Sequence, residues 1–158
     1  MARWRNIFSL LCLCLLMGSG VLGYYFWHRY FITPFSCRAN FIQHNSDETL
    51  YIWLNYTVEG TRGILSMNGH IQSDLNKKID RKIYFKVQRE DGIYIFTSLR
   101  NMKFPSDNVN DNWLKGYEPL FFIYPNKEIY IKIEKLRNGN HLFSLEALPT
   151  YVCQISKN

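Results

Sequence analysis

Two cysteines, Cys37 and Cys153, are the residues whose type and spacing most clearly suggest chemistry in this chain of 158 residues. Two thiols near the two ends of a small domain can oxidise to a disulfide, which persists outside the reducing cytoplasm. The bond would make the first and last strands neighbours and would contribute about 4 to 5 kcal/mol to stability. Two unrelated buried thiols are the alternative. A catalytic cysteine is disfavoured, because nothing places a histidine beside either residue.

Other reactive residues form no known catalytic pattern. The sequence contains no Gly-x-Ser-x-Gly elbow, no His-Glu-x-x-His and no glycine-rich phosphate loop. His44, His70 and His141 occur singly, and a lone histidine on a strand or turn is most often structural. We therefore predict that the protein is not an enzyme and uses no cofactor.

A polar segment between Asp107 and Asn112 carries several oxygen ligands that calcium could use. It lacks the glycine and the terminal glutamate of a known calcium loop, so we predict no metal site. The surrounding region, from Asn101 to Pro119, reads as a long loop with a helical turn, in which Trp113 plugs one end of the core. Long loops often carry binding sites, which makes Trp113 and Tyr117 candidate contacts for a partner or ligand.

β-Strands are the elements that must position these residues. Apolar and polar residues alternate with a period of two in three runs, Leu50 to Val58, Ile83 to Val87 and Ile129 to Ile133. Short turn signals rich in Gly, Asn and Asp separate such runs and are typical of hairpins. The sequence predicts a mainly β domain of about eight or nine antiparallel strands. A barrel and a sandwich share this alternation, and a lipocalin-like barrel is one form that it allows.

Two aromatic residues, Tyr51 and Trp53, lie on the face of their predicted strand opposite Leu50 and Ile52. An exposed aromatic pair of this kind is a candidate contact for a partner or ligand. The alternatives are that the fold covers both faces of the strand, or that these side chains line the interior of a barrel.

The start of the chain has the pattern of a membrane anchor. Arg3 and Arg5 precede an uncharged run that ends at Trp27, and Arg29 follows. As a helix, the apolar part of this run spans roughly 30 Å, the thickness of a bilayer's hydrocarbon core. A cleaved signal peptide is the alternative, which the aromatic residues at the end of the run disfavour.

The charges around this run predict its orientation. The two arginines before it and the amino terminus favour a cytoplasmic N-terminus and an exported C-terminal domain. We therefore divide the chain into a short cytoplasmic segment 1–6, a transmembrane anchor 7–30 and an exported β domain 31–158, which is too short for two ordinary cores.

The charge of the exported domain argues against nucleic acid as a partner. The formal net charge of +6 falls to +3 without Arg3, Arg5 and Arg29, and the remaining basic residues form no cluster. The pair Arg81-Lys82 reads as the solvated start of a strand.

The chain resembles the FidL-like membrane proteins of enterobacteria over nearly its full length. The resemblance is carried by the basic start and the anchor, and by Cys37-Arg38-Ala39-Asn40-Phe41, Met67-Asn68-Gly69 and Ile79-Asp80-Arg81-Lys82-Ile83-Tyr84-Phe85 in this order. Members of this family are commonly encoded beside membrane-bound winged-helix transcription regulators. They are similar in layout to the ToxS-type partners of ToxR-type regulators, which have one inner-membrane helix and a periplasmic β domain that stabilises the regulator.

The resemblance implies a single-pass protein of the bacterial inner membrane whose periplasmic domain binds and modulates a co-encoded one-pass regulator. A second hypothesis is a stand-alone periplasmic carrier that holds a small amphipathic ligand, of the lipid or bile type, inside a roomy barrel. Related ToxS-type assemblies form lipocalin-like barrels that hold bile salts, but no pocket motif in this sequence matches them.

Overall fold

The structure, a computed structural model, describes residues 2–30, 32–145 and 148–155. The chain forms two compact units, Met1–Phe31 and Ile32–Asn158. The first contains helix α1 and the second contains every described strand.

Helix α1 (Ala2–Tyr30) shows no separate polar face among its described side chains. Its described side chains are those of residues 12–26, and the large apolar ones among them are exposed: Leu13, Leu15, Leu16, Met17, Val21, Leu22, Tyr24, Tyr25 and Phe26. Among the described residues, no helix combines the length and the apolar character needed to cross a membrane. The side chains of four predicted anchor residues lie outside the described part: Arg3, Arg5, Trp27 and Arg29. The anchor stays a prediction.

The second unit is a closed barrel of eight antiparallel strands in which each strand pairs with its neighbours in the sequence. The strands are β1 (Phe35–His44), β2 (Thr49–Glu59), β3 (Arg62–Ile71), β4 (Lys78–Glu90), β5 (Ile93–Lys103), β6 (Glu128–Lys135), β7 (His141–Leu145) and β8 (Leu148–Ile155). The pairing of β1 with β8 closes the barrel. The predicted mainly β domain is therefore confirmed, and its form is a barrel rather than a sandwich.

The two ends of the barrel differ. At the hairpin end, short turns join β2 to β3, β4 to β5 and β6 to β7. The second of these turns places Asp91 and Gly92 at φ 48° and 85°, the left-handed pair that a tight hairpin requires. At the loop end, residues 104–127 join β5 to β6 and contain a short helix, α2 (Asp111–Leu114), and a 3₁₀ turn (Leu120–Phe122). The predicted long loop with a helical turn is confirmed, but its bounds differ: residues 101–103 belong to β5, and the loop continues past Pro119 to residue 127.

Side chains fill the barrel interior. Every second residue of β2 is buried, as its period of two predicts. Aromatic rings occupy the centre, where the Phe85 and Phe96 centroids are 4.7 Å apart and Phe121 enters from the loop end, 5.7 Å from Phe85. The Phe85 ring lies so close to Gly63 that a Cβ there would be 2.3 Å from it. The interior is thus a packed core.

One expectation about the core was wrong. Strand β4 begins at Lys78, and Arg81 lies on the face that also buries Ile79 and Ile83, so only 2% of its surface is exposed. The sequence had suggested that Arg81 lies at the start of a strand, where its guanidinium would be hydrated. At the loop end, Leu114 and Phe121 are fully buried, and Trp113 packs half-buried against the core.

Cys37 and Cys153 form a disulfide across the seam where the barrel closes. Their sulfurs are 2.02 Å apart and their Cα atoms 5.4 Å apart. The described pairing of β1 with β8 is limited to Cys37 with Ile155 and Arg38 with Gln154, whereas β1 pairs with β2 along its whole length. The disulfide, which confirms the predicted pairing of the two cysteines, therefore adds a covalent link where the hydrogen-bonded ladder is shortest.

Replacing both disulfide cysteines, Cys37→Ser with Cys153→Ser, should lower the free energy of unfolding by about 4 to 5 kcal/mol, because the bond closes a loop with a sequence separation of 116 residues. Urea unfolding of the full chain in detergent, followed by tryptophan fluorescence, measures the change. The matched control replaces the exposed free cysteines Cys12 and Cys14 with serine and should leave the unfolding midpoint unchanged. Equal midpoints for both variants would contradict the prediction.

Candidate functional site

An aromatic cluster, made of Tyr51, Trp53 and His70, lies on the outer face of β2 and β3. Tyr51 pairs with His70 across the two strands, and their rings stack with centroids 4.9 Å apart and planes 10° apart. The Trp53 ring is 5.4 Å from His70. The side chains of Tyr51 and Trp53 point away from the core, as the period of two in β2 predicts. His70 was missed, because its place in the cluster depends on the register of β2 against β3.

The aromatic cluster borders an open groove of about 760 Å³, in which Trp53 is the large apolar residue on the outer face. Most of the polar lining comes from the outer faces of β1 and β2, including Arg38, Asn40 and Asn55, and Ser66 of β3 and Gln154 of β8 complete it. Such a surface offers an apolar contact together with hydrogen-bonding groups, the combination found at protein interfaces.

The other two predicted contact residues, Trp113 and Tyr117, lie together at the loop end. Their ring centroids are 4.4 Å apart, and both side chains are half-buried against the core. Helix α2 starts at this point because the side chain of Asn110 accepts a hydrogen bond from the backbone N–H of Asn112, at 2.8 Å. The pair therefore belongs to the cap of the barrel and not to the aromatic cluster.

A buried ion-pair network fastens the long loop to the barrel. The Nε of Arg81 donates to Asp107 at 2.8 Å, and its guanidinium also contacts Asp111 at 2.7 Å. The amino group of Lys103 lies 3.4 Å from Asp107. The carboxylates once considered for calcium are thus ion-paired, and no group of three or more His, Cys, Asp or Glu in the described part of the chain is arranged for a metal.

A second feature of the loop end is a pocket of about 280 Å³ that contains a buried carboxyl group, which we call the Glu118 pocket. Only 7% of Glu118 is exposed, and its Oε1 has no hydrogen-bond partner among the described residues. Burial raises the pKa of this carboxyl to about 8. The other lining residues come from β1, β7, β8 and the long loop, and are Phe41, Ile42, Gln43, Tyr117, Pro119, Phe122, Leu145, Thr150 and Tyr151.

Two buried tyrosines connect this pocket to the core: Tyr151 lines the pocket, and Tyr56 lies in the core beside it. The hydroxyls of Tyr56 and Tyr151 are 2.7 Å apart and hydrogen-bonded. Burial is the main cause that raises the pKa of each phenol, and the charge of Glu118 raises both further. Both phenols are therefore neutral over the physiological pH range. Sequence reasoning missed Glu118, because an acid beside Pro119 in a polar loop has the local pattern of a solvated residue.

Residues 34–153 match the family of YqeJ C-terminal domains. This chain belongs to that family. No curated protein and no solved structure matches it.

The matched region coincides with the barrel. It begins one residue before β1 and ends at Cys153 within β8. The YqeJ C-terminal domain therefore includes both disulfide cysteines, the aromatic cluster and the Glu118 pocket. The FidL-like resemblance is a separate prediction that the family match does not address.

Breaking the buried ion-pair network should destabilise the YqeJ C-terminal domain. Arg81→Met keeps the length of the side chain but leaves the fully buried Asp107 without its closest cation, which should cost about 3 kcal/mol. The control, Glu134→Gln, removes an exposed ion pair with Lys132 and should cost less than about 1 kcal/mol. Urea unfolding compares the two. A cost for Arg81→Met as small as that of the control would contradict the structural role.

Glu118 should make the stability of the barrel depend on pH. Its folded pKa is raised from 4.5 to about 8, so its protonation favours the folded state fully below about 4.5, and this contribution is lost as the pH rises through about 8. Glu118→Gln does not titrate, so the stability of wild type relative to this variant should fall between these pH values. Unfolding midpoints across this range measure the difference. A constant difference would contradict the raised pKa.

Proposed function

We propose that this protein is a non-enzymatic accessory protein of the bacterial inner membrane whose periplasmic barrel binds and modulates a co-encoded, one-pass winged-helix transcription regulator. The observation that carries the proposal is the outward-facing aromatic cluster, with Trp53 exposed, beside a polar groove. Trp53 has 42% of its surface exposed to solvent. A surface tryptophan is a typical anchor of a protein interface, where a partner covers it.

The packed interior of the barrel supports a surface role over a carrier role. A carrier needs a roomy barrel, whereas here the centre is occupied by fully buried aromatic side chains, among them Tyr56, Phe85, Phe96 and Phe143. The stand-alone carrier hypothesis is therefore the weaker of the two. The outer surface is what the barrel offers to another molecule.

We propose α1 as the anchor of this accessory protein. A helix without a polar face is typical of a segment that is buried in a protein core or in a membrane. The exposed large side chains of α1 between Leu13 and Phe26 are apolar and fit such a segment. The basic residues before the run favour a cytoplasmic N-terminus, and the disulfide suits a periplasmic barrel. In this arrangement the barrel would meet the exported domain of a regulator in the same membrane.

Trp53→Ser should reduce capture of the regulator encoded by the neighbouring gene by about tenfold or more, because a central aromatic anchor is lost. The measurement is co-purification of the two full-length proteins from co-expressing membranes. The matched control is Tyr130→Ser on β6, where 54% of an aromatic side chain is exposed away from the aromatic cluster. This control should capture the regulator normally.

Two results would refute the proposed function. One is a neighbouring gene that encodes no membrane-bound regulator, together with no regulator captured by the wild-type protein. The other is equal capture by the Trp53→Ser and Tyr130→Ser variants, which would remove the aromatic cluster as the binding surface.

A further inference from the structure

We infer that the Glu118 pocket binds a small organic cation, whose ammonium group pairs with the Glu118 carboxylate and whose apolar body lies among the aromatic side chains of the pocket. This inference does not depend on the proposed regulator, since no residue of the aromatic cluster lines the pocket.

The buried carboxyl is the first observation behind this inference. An Oε1 atom that is out of solvent and lacks a hydrogen-bond partner is costly, and most buried polar atoms in proteins are satisfied. Glu118 lines the pocket, so a ligand there can supply the missing donor. The neighbouring backbone is held in place, because the side-chain amide of Gln43 donates to the carbonyl oxygen of Tyr117 at 2.7 Å.

The charge distribution selects a cation over an anion. Desolvation is the cause that shifts the pKa of Glu118, so no described basic side chain compensates its charge. The titratable groups that face it from the strands are the neutral hydroxyls of Tyr56 and Tyr151, and Tyr117 lines the pocket from its own segment. An anionic ligand would find no counter-charge and would repel an ionised Glu118.

The aromatic lining favours a cation with an apolar body. Phe41 and Tyr151 stack with ring centroids 5.3 Å apart and planes 4° apart, and Tyr117 and Phe122 also line the pocket. The faces of aromatic rings attract cations, and their area provides contact for hydrocarbon. A volume of about 280 Å³ limits the ligand to a small molecule.

Binding should be coupled to loss of a proton from Glu118. At neutral pH the free protein holds the proton, because burial places the pKa of Glu118 at about 8. An ammonium group stabilises the ionised form, so the proton leaves to solvent as the ligand enters. Affinity should therefore increase as the pH rises towards about 8.

Isothermal titration calorimetry of the full chain in a non-ionic maltoside detergent, which carries no ammonium group, tests the inference. The probes are 2-phenylethylammonium, the neutral 2-phenylethanol and the anionic 3-phenylpropionate. We expect the cation to bind most tightly and Glu118→Gln to weaken its binding by about tenfold or more, because a charge-assisted hydrogen bond is lost. The control Glu134→Gln changes an exposed carboxylate on β6 and should bind the cation as wild type does.

A second measurement on the wild-type protein keeps the test decisive if Glu118→Gln does not fold. Titrations at pH 6.5 in two buffers of different ionisation enthalpy should show the release of up to one proton per cation bound. The inference is overturned if 2-phenylethylammonium does not bind, if 2-phenylethanol binds as tightly, if the folded Glu118→Gln variant binds the cation normally, or if no proton is released.

Discussion

Closure of the barrel at the seam between β1 and β8 is the constraint on which the other features depend. An open eight-stranded sheet would expose unpaired backbone groups on its two edge strands, and closure removes both edges. The described ladder at the seam is short, and the disulfide between Cys37 and Cys153 links the same two strands beside it. Because these two strands are the first and last of the barrel, the bond also restricts the unfolded chain over nearly the whole domain.

Closure around a packed core moves binding to the outside and the ends. Eight strands enclose a space just wide enough for side chains, and here aromatic rings from β2, β4, β5 and β7 fill it. The hairpin end has short turns with little surface to vary. The loop end has a long segment that the ion-pair network of Arg81 and Asp107 holds in place, so a pocket can form there without disturbing the core.

The strands could be predicted from the sequence because a half-covered strand has a period of two, as from Leu50 to Val58, and turn residues separate one strand from the next. The burial of Arg81 could not be predicted. From the local sequence a charged residue is expected to be solvated, and its ion-pair partners come from a distant loop. Closure of the barrel could not be predicted either, because it depends on the pairing of β1 with β8, which a period of two does not reveal. Glu118 was missed for the same reason as Arg81: the residues around it come from β1, β7 and β8, which are distant in sequence from the loop that carries it.

Arg81 and Glu118 show two different ways in which this barrel contains a buried charge. Arg81 is surrounded by carboxylates, so its charge is compensated within the fold and the network is structural. Glu118 has no such partner, and its proton is what makes burial tolerable at neutral pH. A hydrophobic residue in its place would avoid this cost, whereas a carboxyl that opens into a pocket can exchange its proton for an external cation. The contrast separates a group that holds the loop end together from one that is available to a ligand.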